Sequence, residues 1–229
     1  MPRALEVIAT SLDDALAAER GGADRVELVA SLERGGMTPP LRLVDAVVAR
    51  LRIPVRVIVR ETDAHEIGDP AQRARLVDLA RRIGQRPVDG LVFGAVAGGR
   101  VDQDLLDAVA AAGGRPVTFH RAFECVGDPL EALEVLARHP GVDRVLSNGG
   151  EGDWTARARR LADWSRVADG RLLMLAGGGL TADAVGVLAR TAGVREVHVG
   201  RLARQPPTVE GAVSAALVAG LVRALNPGP

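Results

Sequence analysis

The stretch Pro116-Val117-Thr118-Phe119-His120-Arg121-Ala122-Phe123, followed at Asp128-Pro129 by a second signal, holds one complete change of structure. The short apolar run reads as a strand covered on both faces. Asp128-Pro129 reads as a helix start, with a capping carboxylate before a proline in the first turn. A histidine and an arginine therefore stand where a buried strand opens into a loop. In a barrel of alternating strands and helices, that is where binding and reacting groups are usually carried.

The same unit recurs in both directions along the chain. Strands are expected at residues 5–9, 25–29, 55–59, 89–93, 116–120, 143–147, 172–176 and 196–199, all short and rich in Val, Leu and Ile. Helix starts are marked by Ser11 with Asp14, by Thr38-Pro39, by Asp69-Pro70 and by Asp128-Pro129-Leu130-Glu131, where Glu131 adds a capping-box carboxylate. Thr181 and Thr208 are the expected caps of the last two helices, and Gly21, Gly84, Gly113 and Gly193 the expected stops. In the final helix Val209, Val213, Ala216, Leu217, Gly220, Leu221 and Ala224 share one face. Eight strand–helix units at this regularity favour a closed TIM (β/α)8 barrel, a single domain over residues 1–229. An open doubly wound sheet is the competing arrangement.

Composition narrows the function. With 47% apolar residues, three Phe, two Trp and no Tyr, a large core must rest on Ala, Val and Leu. The formal net charge is zero and no basic stripe carries interleaved aromatics, which argues against nucleic-acid binding. No apolar run reaches membrane-spanning length and the N-terminus lacks a signal-peptide pattern, so a cytoplasmic location is expected. Cys125 is the single cysteine, which rules out an intramolecular disulfide or a cysteine-pair metal site within one chain. All 29 basic residues are arginine. Without lysine, Schiff-base chemistry has no amine, and a lysine-dependent aldolase or a pyridoxal-phosphate enzyme is excluded.

Charges inside the strands are the exceptions to their apolar character. Glu6 lies between Leu5 and Val7, and Glu27 between Val26 and Leu28. Side chains alternate along a strand, so each glutamate points opposite its apolar neighbours, into the barrel if those neighbours meet the helices. The same parity turns Arg56, Arg60, His198 and His120 inward. Buried carboxylates need partners, and Arg56 or Arg60 are the expected ones. Two readings stay open: an internal ion-pair network without chemistry, or a site in which Glu6, Glu27 and His120 move protons while Arg60 and Arg121 fix an anion. Two Glu and two His also suit a divalent metal, though no H-x-H or H-x-x-E spacing supports it.

Two glycine-rich segments follow the last two strands. Gly177-Gly178-Gly179 opens a helix, and Gly200-Arg201 follows the eighth strand. These loops often hold phosphate in barrels. Gly178, Gly179, Gly200 and Arg201 are therefore candidate anion contacts, with Ser147 and His198 as further polar contacts. Tight turns alone would also explain the glycines. His65, in an acid-rich loop, and His139, before Pro140, read as solvated residues. Trp154 and Trp164 read as packing or subunit contacts.

The motifs Gly22-Ala-Asp-Arg-Val-Glu-Leu28, Gly35-Gly-Met-Thr-Pro39, Val117-Thr-Phe-His-Arg-Ala-Phe123 and Glu196-Val-His198, in this order and spacing, resemble the CutC family over nearly the whole chain. The resemblance implies a TIM barrel, a cytoplasmic homo-oligomer and the part in copper homeostasis that gave the family its name. It implies no defined reaction. Family members carry cysteines just after the first-strand and second-strand glutamates, where this chain reads Val7-Ile8-Ala9 and Leu28-Val29-Ala30. Cu(I) favours soft sulfur. Cys125 and His120 are the weak candidate copper ligands that remain, and Met37 reads as packing. The competing expectation is an isomerase or lyase acting on a small anionic, phosphorylated or sugar-like metabolite at the C-terminal face of the barrel.

Overall fold

Eight parallel strands close on themselves in a computed structural model that describes residues 2–228. They are β1 (Ala4–Ala9), β2 (Arg25–Leu28), β3 (Val55–Ile58), β4 (Gly90–Phe93), β5 (Val117–Phe119), β6 (Val142–Ser147), β7 (Leu173–Ala176) and β8 (Glu196–Val199). Each is followed by a helix: α1 (Leu12–Arg20), α2 (Leu41–Val48), α3 (Pro70–Gly84), α4 (Gln103–Gly113), α5 (Pro129–Arg138), α6 (Trp154–Val167), α7 (Ala182–Arg190) and α8 (Ala215–Leu225). β1 pairs with both β2 and β8, which closes the TIM barrel and removes the open-sheet alternative.

Alternation along the strands divides two layers. Leu5, Val7, Val26, Leu28, Val55, Val57, Val117 and Phe119 belong to one large apolar cluster with the helices. The opposite parity fills the lumen. A separate small cluster of Val29, Ile58 and Val92, with Ile8 and Leu32 packed on it, lines the upper lumen. Below it stand polar side chains, and β4 makes room for them. A Cβ on Gly90 would meet Arg56 Cζ at 2.9 Å, and one on Gly94 would meet His120 Nδ1 at 2.6 Å. Both glycines are vacancies that let a long polar side chain occupy the barrel axis.

Most helix signals act as expected: Ser11, Asp69, Asp128 and Thr181 each accept a backbone N–H of their helix's first turn. Two do not. The Thr38 hydroxyl is tied to the backbone of Arg60, accepting its N–H at 2.7 Å and donating to its carbonyl at 3.0 Å, so α2 starts later, behind Pro40. The last helix starts behind Ser214, whose side chain accepts from Leu217, rather than behind Thr208. Before it, Arg204–Gln205 pairs antiparallel with Ala212–Val213. Buried Arg204 anchors this hairpin to Asp14 (3.0 Å) and to the Ile8 carbonyl (3.1 Å), and Asp14 accepts the Val213 N–H at 2.9 Å. Val209 and Val213 are therefore not on the helix face predicted for them. Among the described residues, no helix is long and apolar enough to cross a membrane.

Candidate active site at the barrel mouth

The lower lumen is a continuous ladder of ion pairs. Glu6 meets Arg25 Nε at 2.5 Å, and Arg25 reaches Glu196 at 2.7 Å. Glu196 meets Arg144 at 2.8 Å, and Arg144 pairs with Asp143. Asp143 meets Arg56 at 2.6 Å, and Arg56 ends the run on Asp89 at 2.9 Å while donating to Thr118 Oγ1 at 2.8 Å. Arg56 or Arg60 are the partners expected for the glutamates, but Glu6 pairs with Arg25 and Glu27 with neither, because Arg56 is held by Asp89, Asp143 and Thr118. Arg25, Glu196 and Arg144 follow the same strand parity as Glu6 and Glu27, so alternation alone could have found them.

The ladder ends upward in a carboxylate–imidazole–carboxylate row. Glu6 Oε1 lies 2.7 Å from His198 Nδ1, and His198 Nε2 faces Glu27 Oε2 at 3.5 Å. All three are buried. Burial alone would raise the Glu6 carboxyl, but Arg25 and His198 outweigh it and hold it well below the usual carboxylate range. Burial would lower His198, yet its bond to Glu6 and the charge of Glu27 raise it. Among the described residues no guanidinium lies within ion-pair distance of Glu27, although Arg25 and Arg60 act on it from farther away. Its burial, helped by the nearby charge of Glu6 and opposed by His198, pushes it up to about 7. A carboxyl that changes charge near neutrality suits transfer of a proton in either direction.

Above this row is a cavity of about 490 Å³. Ile8, Val29, Ile58 and Leu146 form apolar wall, while Glu27, His198, Arg60, His65, His120 and Arg121 bring polar groups to it. Apolar walls with a few convergent polar groups are usual for small-molecule sites. His120 caps the short 3-10 turn Arg121–Cys125, its Nδ1 accepting the Ala122 N–H at 3.1 Å. The neutral ring therefore carries its proton on Nε2. Burial, with the charges of His65, Arg60 and Arg121, lowers its proton affinity well below the ordinary histidine value and keeps it neutral. His65, read from sequence as a solvated residue, is instead half-buried at the cavity with its ring edge-on to His120, centroids 5.1 Å apart. It reaches the cavity on a loop whose path no periodicity predicts. His139 lies away from it, paired with Asp107 at 2.8 Å.

The other predicted contacts separate. Arg121 lines the mouth, paired with Glu124 at 2.7 Å. Gly178, Gly179, Gly200, Arg201 and Cys125 line it as well. Arg60 is closer to a loop clamp than to a free anion ligand: Nη1 donates to the Gly35 carbonyl at 3.2 Å and Nη2 to the Asp63 carbonyl at 2.7 Å. Ser147 is absent from the cavity. It faces outward, fully buried, and its Oγ accepts the Gly149 N–H at 3.0 Å. Glu6 does not line the cavity: one carboxylate oxygen is on Arg25 and the other on His198. Trp164 packs edge-on against Phe123, centroids 5.4 Å apart, which is a core role.

Glu6, Glu27 and His198 also form a group of three potential metal donors within 4.8 Å of one another. Their chemistry is oxygen and nitrogen, which suits a hard or borderline divalent ion rather than Cu(I). Glu6 would have to leave Arg25 or His198 to take part. The one thiol, Cys125, is exposed at the mouth and outside this group. The residues present do not fit a buried Cu(I) centre.

Comparison with known proteins identifies the fold and the family of the chain. In crystal form, the CutC protein of Streptococcus agalactiae superposes with a TM-score of 0.77 at 22% identity, covering 86% of this chain and 98% of that one. A phosphoribosylanthranilate isomerase from Pyrococcus furiosus shares the fold at a TM-score of 0.64 and 16% identity, covering 99% of this chain and 100% of that one. A CutC protein from Mesorhizobium japonicum is 38% identical over 210 residues, 90% of this chain and 80% of that protein. The human copper homeostasis protein cutC homolog is 36% identical over 203 residues, 85% of this chain and 71% of that protein. The CutC family profile matches residues 3–202, which takes in all eight strands and every cavity group described above. The chain belongs to the CutC family.

Proposed function

We propose that the barrel mouth is an acid–base active site for a small anionic metabolite. The observation that carries this reading is Glu27: a buried carboxyl at the cavity, without a guanidinium partner, whose proton affinity lies near neutrality. Proton-transfer groups work best with a pKa near the operating pH. The anion is favoured by the arginines around the opposite wall: Arg121 and Arg60 both depress the basicity of His65 and His120, a mark of positive potential there. Gly178, at positive φ, brings backbone close to Arg121 on the same rim, and Gly179 lines the cavity beside it.

Copper binding is the second reading, taken from the names of the human and mouse relatives. Glu27 and His198 Nε2 are the donors that a divalent ion would meet first. Titration of Cu(I) and Cu(II) against a competing chelator, with Cys125→Ser and Glu27→Gln, separates the readings. Competition lost in either variant supports copper; failure to compete removes it. The acid–base reading is tested by thermal shift against phosphorylated sugars and small carboxylates. Stabilisation that weakens at least about tenfold in apparent affinity on Arg121→Ala is the expected result, since a charge-assisted hydrogen bond contributes roughly 1.5–3 kcal/mol. No stabilisation by any such anion contradicts it.

A further inference from the structure

We infer that the site removes a proton from the carbon next to a carbonyl group, with Glu27 taking the proton and the His120 Nε2–H holding the carbonyl oxygen. This rests on the acid–base reading above and names the substrate class: a small anionic carbonyl compound with a hydrogen on its α-carbon. Two independent geometric facts carry it. The first is the His120 tautomer. Its Nδ1 is occupied as an acceptor by the Ala122 N–H, so the ring presents a fixed N–H donor rather than a base. A neutral imidazole of this kind suits the electrophile that polarises a carbonyl. The second is the row behind Glu27. His198 Nε2 faces its Oε2 at 3.5 Å, held there by Glu6 at 2.7 Å, and Glu27 itself lines the cavity.

The ring is held from several sides. Phe93, Phe119 and His65 rings pack around it, with centroids at 6.5, 6.4 and 5.1 Å. Gly94 leaves the space it occupies. A donor so constrained needs little reorganisation as charge builds on an oxygen. The electrostatics run the same way: Arg60 and Arg121 bring positive charge to His120, while Glu27 supplies the buried carboxyl from β2. Electron density that moves from a C–H bond toward an oxygen moves from Glu27 toward His120.

The step balances without a co-reactant. The C–H bond breaks and its proton goes to the Glu27 carboxylate. The C–H electron pair becomes the C=C bond, and the carbonyl π pair moves onto the oxygen held by His120 Nε2–H. Return of a proton from Glu27 to carbon restores the carbonyl compound, with exchange or inversion at that carbon.

Exchange in D2O tests it. The protein is incubated with dihydroxyacetone phosphate, glyceraldehyde 3-phosphate, ribulose 5-phosphate and pyruvate, and loss of the α C–H signal is followed by proton NMR while binding is read in parallel by thermal shift. The expected result is exchange of at least one probe, slowed about 10²–10⁴-fold by Glu27→Gln and about 10²–10³-fold by His120→Leu, which has no N–H, with binding retained in both folded variants. Binding without exchange, or exchange indifferent to either substitution, overturns this inference and leaves the acid–base reading standing. Absence of binding by every probe overturns both. Should the leucine side chain unfold the site, His120→Phe serves as the second variant without an N–H, and His120→Gln, which keeps one, is expected to retain more of the exchange than either.

Discussion

The two halves of the barrel lumen are built from the same residue types and treat them in opposite ways. In the lower half every carboxylate and guanidinium from Glu6 to Asp89 has a partner within 2.9 Å. In the upper half Glu27 has only a histidine at 3.5 Å, and His120 and His65 are pushed away from their charged forms by burial and by neighbouring arginines. A paired network holds its charges over a wide pH range, whereas an unpaired buried carboxyl titrates where chemistry needs it. Side-chain parity sets both halves; what differs is whether a strand start supplies a guanidinium at the right height. Arg25 does so for Glu6, and nothing does so for Glu27.

If that contrast is right, substitutions below should change stability and those above should change chemistry. The largest stability effect is expected from Arg25→Met. It leaves both Glu6 and Glu196 without their shared cation, and breaking a buried pair from one side costs about 3–5 kcal/mol. Urea denaturation measures it; a loss under about 1 kcal/mol would show that the ladder is not a structural element. Gly94→Ala sits at the boundary. Its methyl would stand 2.6 Å from His120 Nδ1, so the ring must move. Overpacking of this kind costs about 1–3 kcal/mol, and loss of the Ala122 N–H bond to the ring, visible in its 15N shifts, is the signature expected. Unchanged ring shifts would mean the vacancy at Gly94 does not set the His120 position.

A smaller effect is expected in the pH dependence of stability. Glu27 rises from 4.5 to about 7 on folding, facing His198, Glu6, Arg25 and Arg60. Its protonated form is the one the fold favours, so its contribution is complete below about 4.5 and is lost as pH rises through about 7. His198 is raised too and acts in the same direction. Glu6 is lowered and acts only in acid, losing its contribution as pH falls below the ordinary carboxylate range. Glu27→Gln should therefore flatten the fall in stability between pH 5 and 8. A variant whose slope matches the parent over that window would place the titration elsewhere.

Much of this is legible in the amino-acid sequence. Short apolar runs separated by capped helices describe the barrel, and Glu6, Glu27, His120 and His198 all point inward as alternation requires. Arg25, Arg144 and Glu196 obey the same rule but stand at strand starts, where a charge also reads as an ordinary boundary residue. Arg60 shows the limit of parity: it turns inward as expected, yet its guanidinium reaches the carbonyls of Gly35 and Asp63, which only the loop paths bring near. His65 and the hairpin that displaces the start of α8 depend on such long-range contacts as well. Thr38 and Thr208 look like caps because capping is local, and the tertiary partners that override them are not. Ser147 takes the outward parity of its strand, which alternation with Leu146 would have shown.

The most direct test of the account is the titration of the Glu27 side-chain carboxyl itself. In protein labelled with 13C-glutamate, its resonance is assigned by disappearance in Glu27→Gln and followed between pH 4 and 9. A midpoint near 7 is the predicted result. A midpoint near the ordinary 4.5 would contradict the account, because Glu27 would then be one more stabilised carboxylate of the ladder beneath it.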